Sequence, residues 1–381
     1  MKYNPRLPSV ADMERRAQNR MPRFAWDYLS GGIGQEQALS RNRSDLERVL
    51  LWPRYLTDVA HVDTSSELFG HRYDLGIGVS PVGLANMMWP NAERILARAA
   101  QQANIPYVLS TMGTSPLEDI ATIAPDVAWF QLYVPRDREV MQDLIRRVQR
   151  AAFKVLVVTA DIPVGAKRDK ELKNGLILPL KFSPKIIGQT LLHPAWLIKT
   201  LVQGFPKFIN LAPYGDLQNV NHLGEFLTRF FLSGVTLERI SAIRKLWQGP
   251  LVVKGLQRRE DIQKCLDIGV DGVIISNHGG RQLDAAPSSI SALRMLEPEL
   301  QEKLTIMIDS GVRSGLDIVR AKALGARISF SGRSFLYAMA AAGDDGGRQV
   351  IEIFRDEITR TLQQIGCNRF VQLDSKWLSD R

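Results

Sequence analysis

The densest chemistry in the 381-residue chain lies in Ser276-Asn277-His278-Gly279-Gly280-Arg281-Gln282-Leu283-Asp284. His278 can titrate near neutral pH, and Arg281, three positions on, carries a planar fork that matches a carboxylate or a phosphate. Two glycines between them let the backbone turn sharply and approach a ligand. The pattern is an acid/base residue beside an anion clamp. A strand-end loop also uses His, Asn and Arg for turn chemistry alone, so the spacing by itself leaves both readings open.

These residues follow Gly272-Val273-Ile274-Ile275, which is short, apolar and β-branched as a buried parallel strand requires. Such runs recur at 76–80, 105–110, 127–132, 155–160, 251–254, 272–276, 304–309 and 327–331, each followed by a stretch of helical period. This α/β rhythm predicts a (β/α)8 TIM barrel, with a doubly wound open sheet as the structural alternative. Barrel chemistry sits at the C-terminal ends of the strands. There the chain places Ser80, Ser110, Gln131, Tyr133, Thr159, Asp161, Lys254, Ser276, His278, Asp309, Gly311, Gly332 and Arg333. So many hydrogen-bonding groups on one rim are not a random distribution, though some are ordinary loop residues.

The whole reads as one domain: residues 1–75 an N-terminal helical segment, 76–342 the barrel, and 343–381 a C-terminal helix and tail. Ser9 is suited to cap a first helix, with Asp12 in the capping-box position. An aromatic stretch ending in Gly31-Gly32 contains Tyr28, which by itself reads as core. Near the end, Val350, Ile351, Ile353, Phe354, Ile358, Leu362 and Ile365 follow a helical period, with Gly366 suited to a C-terminal cap.

With 45% hydrophobic and 23% charged residues the chain can bury a large core. Cys265 and Cys367 both fall in predicted helices and match no metal or redox spacing, which points to a reduced compartment, no disulfide and no metal. The first residues lack the apolar core of a signal peptide, and no run of eighteen apolar residues occurs, so the expectation is a cytoplasmic chain that does not span a membrane.

About ninety residues separate the fourth and fifth strands, where a loop of roughly 2 to 6 residues plus a helix would suffice. Residues 172–235 form this insertion. From 172 to 215 there is no acidic residue, while Lys173, Lys181, Lys185, Lys199 and Lys207 alternate with Leu176-Ile177-Leu178, Phe182, Ile186-Ile187, Leu191-Leu192, Trp196-Leu197-Ile198, Leu201-Val202, Phe205 and Phe208-Ile209. Apolar anchors with uncompensated lysines describe a segment lying in an anionic membrane surface. A hydrophobic lid or subunit interface is the alternative. Nucleic acid fits the net charge of +9 poorly, because the segment is too apolar to track solvated phosphates.

Barrels often bind phosphate through the loops after strands seven and eight. Here those loops, Asp309-Ser310-Gly311-Val312-Arg313 and Ser331-Gly332-Arg333-Ser334, offer close-approach glycines and two guanidinium groups. The direct inference is a phosphate-bearing ligand.

The string from Ser276 to Asp284 resembles the active-site signature of the FMN-dependent 2-hydroxy acid dehydrogenases and oxidases, and the resemblance covers nearly the whole chain. It implies an FMN cofactor. Arg313, Gly332 and Arg333 would hold its phosphate, Asp309 and Gly311 its ribityl end, and Ser110, Gln131, Thr159 and Ser276 the isoalloxazine edge. The backbone of Ser80-Pro81-Val82 would face N5, and Lys254 would sit near N1. A fixed cation there favours the negative charge of reduced flavin and so raises its potential.

The same resemblance implies oxidation of an (S)-2-hydroxy acid to the 2-oxo acid. Arg168 and Arg281 would clamp the substrate carboxylate with Tyr28; His278 would be the base, Asp161 its partner, and Tyr133 a hydrogen bond to the substrate hydroxyl. Asp161 could equally cap a helix and Arg168 be surface charge, but their joint spacing favours the site. Gly83 and Met112 stand where the family's oxidases tend to carry larger residues, which suggests a roomier pocket and the dehydrogenase branch. Lactate-like and mandelate-like substrates both stay open, as does proton against hydride transfer from C2. The resemblance further implies a homotetramer, peripheral on the inner face of the cell membrane through 172–215, passing electrons to quinone or a respiratory carrier. The alternative is a soluble oxidase that makes hydrogen peroxide.

Overall fold

The computed structural model describes residues 3–174, 183–215, 230 and 234–379. Eight parallel strands close into a barrel: β1 (Ile77–Val79), β2 (Tyr107–Ser110), β3 (Ala128–Leu132), β4 (Val155–Thr159), β5 (Leu251–Leu256), β6 (Gly272–Ile275), β7 (Thr305–Ile308) and β8 (Ser329–Ser331), with β8 pairing β1. Every expected strand is present and the open-sheet alternative is excluded. β2 starts later than the apolar run because Pro106 has no N–H for the ladder, although its carbonyl accepts from Val79. β5 runs past Lys254 because the register shifts between Lys254 and Leu256, a bulge centred on Gly255.

The strands are buried almost throughout, and Trp129 and Phe330 meet inside the barrel with ring centroids 5.5 Å apart. Each such ring contributes roughly 1.5–3 kcal/mol by leaving water.

Three helices precede the barrel: α1 (Val10–Gln18), α2 (Arg23–Ser30) and α3 (Gln37–Glu47). Ser9 caps α1, accepting from the Asp12 N–H at 3.2 Å. α3 has no cap of its own. The Asp284 carboxylate supplies one from the signature loop, accepting from the N–H groups of Gln35 at 3.0 Å and Ala38 at 2.9 Å. Asn42 of α3 and Asn277 exchange two side-chain hydrogen bonds of 2.8 and 2.7 Å in the buried interior. The N-terminal segment is thereby fastened to the catalytic loop.

Between β4 and β5 stand α4 (Asp169–Lys173), α5 (Pro184–Leu191) and α6 (Pro194–Gln203). Their polarity corrects the uniform anchor read from the sequence. Ile186, Trp196 and Phe208 are buried, and the Trp196 indole donates to the Met87 carbonyl at 3.0 Å, so they fix the insertion to the barrel. Ile187, Leu191, Leu192, Ile198, Leu201 and Val202 are exposed. Lys185 donates to the Lys173 carbonyl and Lys199 pairs with Asp344. Lys181, Leu176-Ile177-Leu178 and Phe182 lie outside the described residues.

α7 (Arg333–Ala342) packs on α1, and α8 (Gly346–Gln364) closes the fold with all the expected apolar residues buried. Cys265 is helical as expected. Cys367 is not: α8 ends before it, at a left-handed Gly366 with φ of 69°. Both thiols are free and buried.

Candidate active site

The C-terminal strand ends open into a cavity of about 430 Å3, within the range of small-ligand sites. Tyr28, Ser80, Pro81, Val82, Tyr133, Arg168, Lys254, His278, Arg281, Asp309, Gly311, Arg313, Gly332 and Arg333 line it. Asp161 reaches it through His278.

β6 ends at Ile275, and His278 adopts a left-handed φ of 58° that non-glycine residues rarely accept. Its N–H donates to Ser276 Oγ at 3.0 Å, and its Nδ1 lies 3.1 Å from Asp161 Oδ1. Burial would push the Asp161 carboxyl up, but the neighbouring His278 and Lys254 bring it below its ordinary value, so it is ionised. An ionised carboxylate only accepts, so Nδ1 carries the hydrogen and Nε2 keeps its lone pair. Burial lowers the His278 pKa, helped by Lys254 and Arg168 and opposed by Asp161; the imidazole is neutral and ready to take a proton.

Lys254, at the bulge of β5, is buried between Asp309 Oδ2 at 2.9 Å and Ser276 Oγ at 2.8 Å. Burial disfavours its charge, yet Asp309 and Asp161 raise its pKa on balance, giving a fixed cation beneath the cavity.

Four residues expected at a ligand edge are buried but do not line the cavity. Ser110 donates to Gln131 and Gln131 to Thr159, both at 2.9 Å, while Ser276 accepts from Lys254. Ser110, Gln131 and Thr159 form a cross-strand polar chain, and Ser276 a separate pair with Lys254.

Arg333 differs from its expectation too. Its guanidinium donates to the carbonyls of Leu29, Gly279 and Gly31 at 2.8, 2.9 and 2.8 Å, and burial lowers its pKa to about 9. It ties α2 to the signature loop, so the anion donors here are the first N–H groups of α7, whose N-cap Gly332 brings no side chain. Arg313 lies beside them, 5.6 Å from the Tyr337 ring centroid.

Opposite, Arg281 and Arg168 flank the Tyr28 ring at 4.7 and 6.0 Å, and the Tyr28 hydroxyl donates to the Gly83 carbonyl at 3.3 Å. Tyr133 is half-buried there and its phenol stays protonated, its pKa pushed up by desolvation and by Asp161. The space beside Gly83 belongs to Met112: a Cβ at 83 would stand 2.9 Å from the Met112 Cβ. The glycine thus lets Met112 pack close, and both residues line the cavity.

The sequence profile of FMN-dependent dehydrogenases matches residues 17–380. The chain belongs to that family. It is similar to an L-lactate dehydrogenase of Caulobacter vibrioides, 37% identical over 377 residues covering 98% of each chain. It is also similar to an (S)-mandelate dehydrogenase of Pseudomonas putida, 35% identical over 98% of this chain and 94% of the other. A crystal structure described as monotopic membrane protein (S)-mandelate dehydrogenase superposes with a TM-score of 0.92 at 35% identity, covering 98% of this chain and all of that one.

As a member of the FMN-dependent dehydrogenase family the chain uses FMN. Three features fit that group. Ser80 Oγ is buried with no partner among the described residues, Lys254 is a buried cation, and the α7 N-terminus is open to an anion.

Sequence reasoning missed three residues. Glu171 bonds both Arg168 and Arg281; its signal was the i, i+3 spacing from Arg168. Asn42 had none, because its partner is 235 positions away. Gly255 follows Lys254 directly, but nothing in the sequence says that it faces Asp161.

Proposed function

We propose that the chain is an FMN-dependent (S)-2-hydroxy acid dehydrogenase acting on a lactate-like or mandelate-like substrate. The observation that carries this is a neutral His278 paired with an ionised Asp161 on the same cavity as two half-buried arginines. Arg168 and Arg281, with Tyr28, hold the substrate carboxylate. His278 Nε2 takes a proton from the substrate, and Asp161 stabilises the resulting imidazolium. Tyr133 donates to the oxygen on C2 as it becomes a carbonyl. FMN, once bound, accepts the two electrons. Ser80-Pro81-Val82, Asp309, Gly311, Arg313, Gly332 and Arg333 would form its site, Arg333 through its backbone, with Ser110, Gln131, Thr159 and Ser276 reaching the ring edge from behind the cavity wall, and Lys254 would balance the charge of the reduced ring.

The exposed face of α5 and α6 supports peripheral docking of 172–215 on the inner face of the cell membrane, which would place the site beside quinone. No helix among the described residues is long and apolar enough to cross a membrane. Residues 1–75, 76–342 and 343–381 work as one unit, and exposed Trp52, Tyr55 and Leu56 offer contact area for a homotetramer.

The test is anaerobic bleaching of the flavin by (S)-lactate, (S)-mandelate, glycolate and longer 2-hydroxy acids. Bleaching by one of them, with slow reoxidation in air, is the expected result. Fast reoxidation would favour the oxidase reading, and no bleaching by any would sink the proposal.

A further inference from the structure

Glu171 occupies the place where a ligand carboxylate would be held. Its Oε1 accepts from Arg281 Nη2 at 2.9 Å and from Arg168 Nη1 at 3.3 Å, so one oxygen bridges the two guanidinium groups. The three side chains are only 15, 13 and 21% exposed, in that order, and together line the cavity. Arg281 turns its other nitrogen to the carbonyls of Tyr28 and Gly31, which leaves Glu171 as its sole carboxylate partner among the described residues. Arg168 Nε is buried with no partner among them. Two cations and one carboxylate leave a net positive charge, and a second carboxylate is drawn to it.

The second anion and Glu171 compete for the same place between the two guanidinium groups, because carboxylates repel at hydrogen-bonding distance. Glu171 is also on an element whose other ties are peripheral. α4 is a short helix held by an ion pair of 2.6 Å from half-exposed Lys170 to Glu36, by the exposed Lys185 ammonium on the Lys173 carbonyl, and by the Asn174 amide on Asp27 at its end.

We propose that Glu171 is a resident carboxylate which the substrate carboxylate displaces from between Arg168 and Arg281, so that α4 swings out as the site fills. It keeps two like charges paired in the free enzyme and sets a threshold for anions, which a substrate must exceed. This rests on the reading of Arg168 and Arg281 as the substrate clamp.

The experiment uses the FMN-loaded protein and oxalate, a dicarboxylate with no hydrogen to transfer. Removing the competing charge with Glu171→Gln tightens oxalate binding about tenfold by calorimetry, the factor that corresponds to about 1.4 kcal/mol. Binding of uncharged 2-hydroxypropanamide stays within twofold. In the wild type, oxalate speeds amide hydrogen exchange across residues 169–173, because the helix loses its anchor. Unchanged or weaker oxalate binding by Glu171→Gln, or slower exchange across 169–173, overturns the exchange and makes Glu171 a fixed support of the arginines. Flavin bleaching by 2-hydroxy acids is scored separately. Its failure would remove the proposed reaction, whereas bleaching without the oxalate effects would remove only the role of Glu171.

Discussion

Replacing Gly255 by alanine should disable the base without touching it. Gly255 sits at the bulge of β5 with a φ of 103°, and a Cβ there would lie 2.5 Å from both Cβ and Cγ of Asp161. Carbon contacts settle near 3.5–4.0 Å, so the carboxylate must retreat by about 1 Å. The His278 to Asp161 bond, now 3.1 Å, would then open to roughly 4 Å, beyond hydrogen-bonding reach. A charged hydrogen bond is worth about 1.5–3 kcal/mol, and each 1.36 kcal/mol is a factor of ten in rate. The reductive rate constant should fall by about 10- to 100-fold. Because Asp161 supports the imidazolium, its withdrawal lowers the His278 pKa further, and the acid limb of kcat/KM moves to lower pH. Stopped-flow flavin reduction across pH reads both effects. Gly269→Ala is the control, since its φ of 79° carries the same backbone strain while its nearest neighbour is the Arg244 side chain at 3.9 Å. A wild-type plateau and acid limb in Gly255→Ala, or an equal loss in Gly269→Ala, would refute the reasoning.

Lys254→Met removes the buried cation and leaves Asp309 unpaired; stability should fall by about 3–5 kcal/mol in urea unfolding, and the bound flavin should become harder to reduce by spectroelectrochemistry. Glu357 accepts from the Gly315 N–H, and burial lifts its carboxyl from 4.5 to about 7. The folded state therefore holds a proton that the unfolded chain releases, so its contribution is full below pH 4.5 and is lost as pH rises to about 7. Glu357→Gln should flatten the stability profile in that window, and an unchanged slope would count against the assignment. Serine at Leu191, Leu192, Leu201 and Val202 together should abolish sedimentation with anionic vesicles while leaving flavin reduction at the wild-type rate; retained vesicle binding would point to another contact surface.

The barrel was legible because each strand is a short apolar run, a pattern that owes little to long-range context. The rim was legible for the same reason, since a residue just past such a run can only be at one end of the barrel. What was not legible depends on the partner chosen among several in reach. Arg333 was read as a phosphate ligand on its residue type, but three carbonyls from α2 and the signature loop claim its donors. Trp196 looked like an interfacial anchor until the carbonyl of Met87 gave its indole N–H a buried partner.

The reciprocal amides of Asn42 and Asn277 bear on how the enzyme comes into being. They join residues 235 positions apart, and the Asp284 cap on α3 spans slightly farther, 246 positions to Ala38. Contacts so distant in sequence close slowly and late. A ribosome that has released only the first half of the barrel has made α3 but not the loop that caps it. The helical segment must wait for residues 277–284, and His278 meets Asp161 no earlier, so proton-transfer chemistry is withheld from any fragment that lacks its second half.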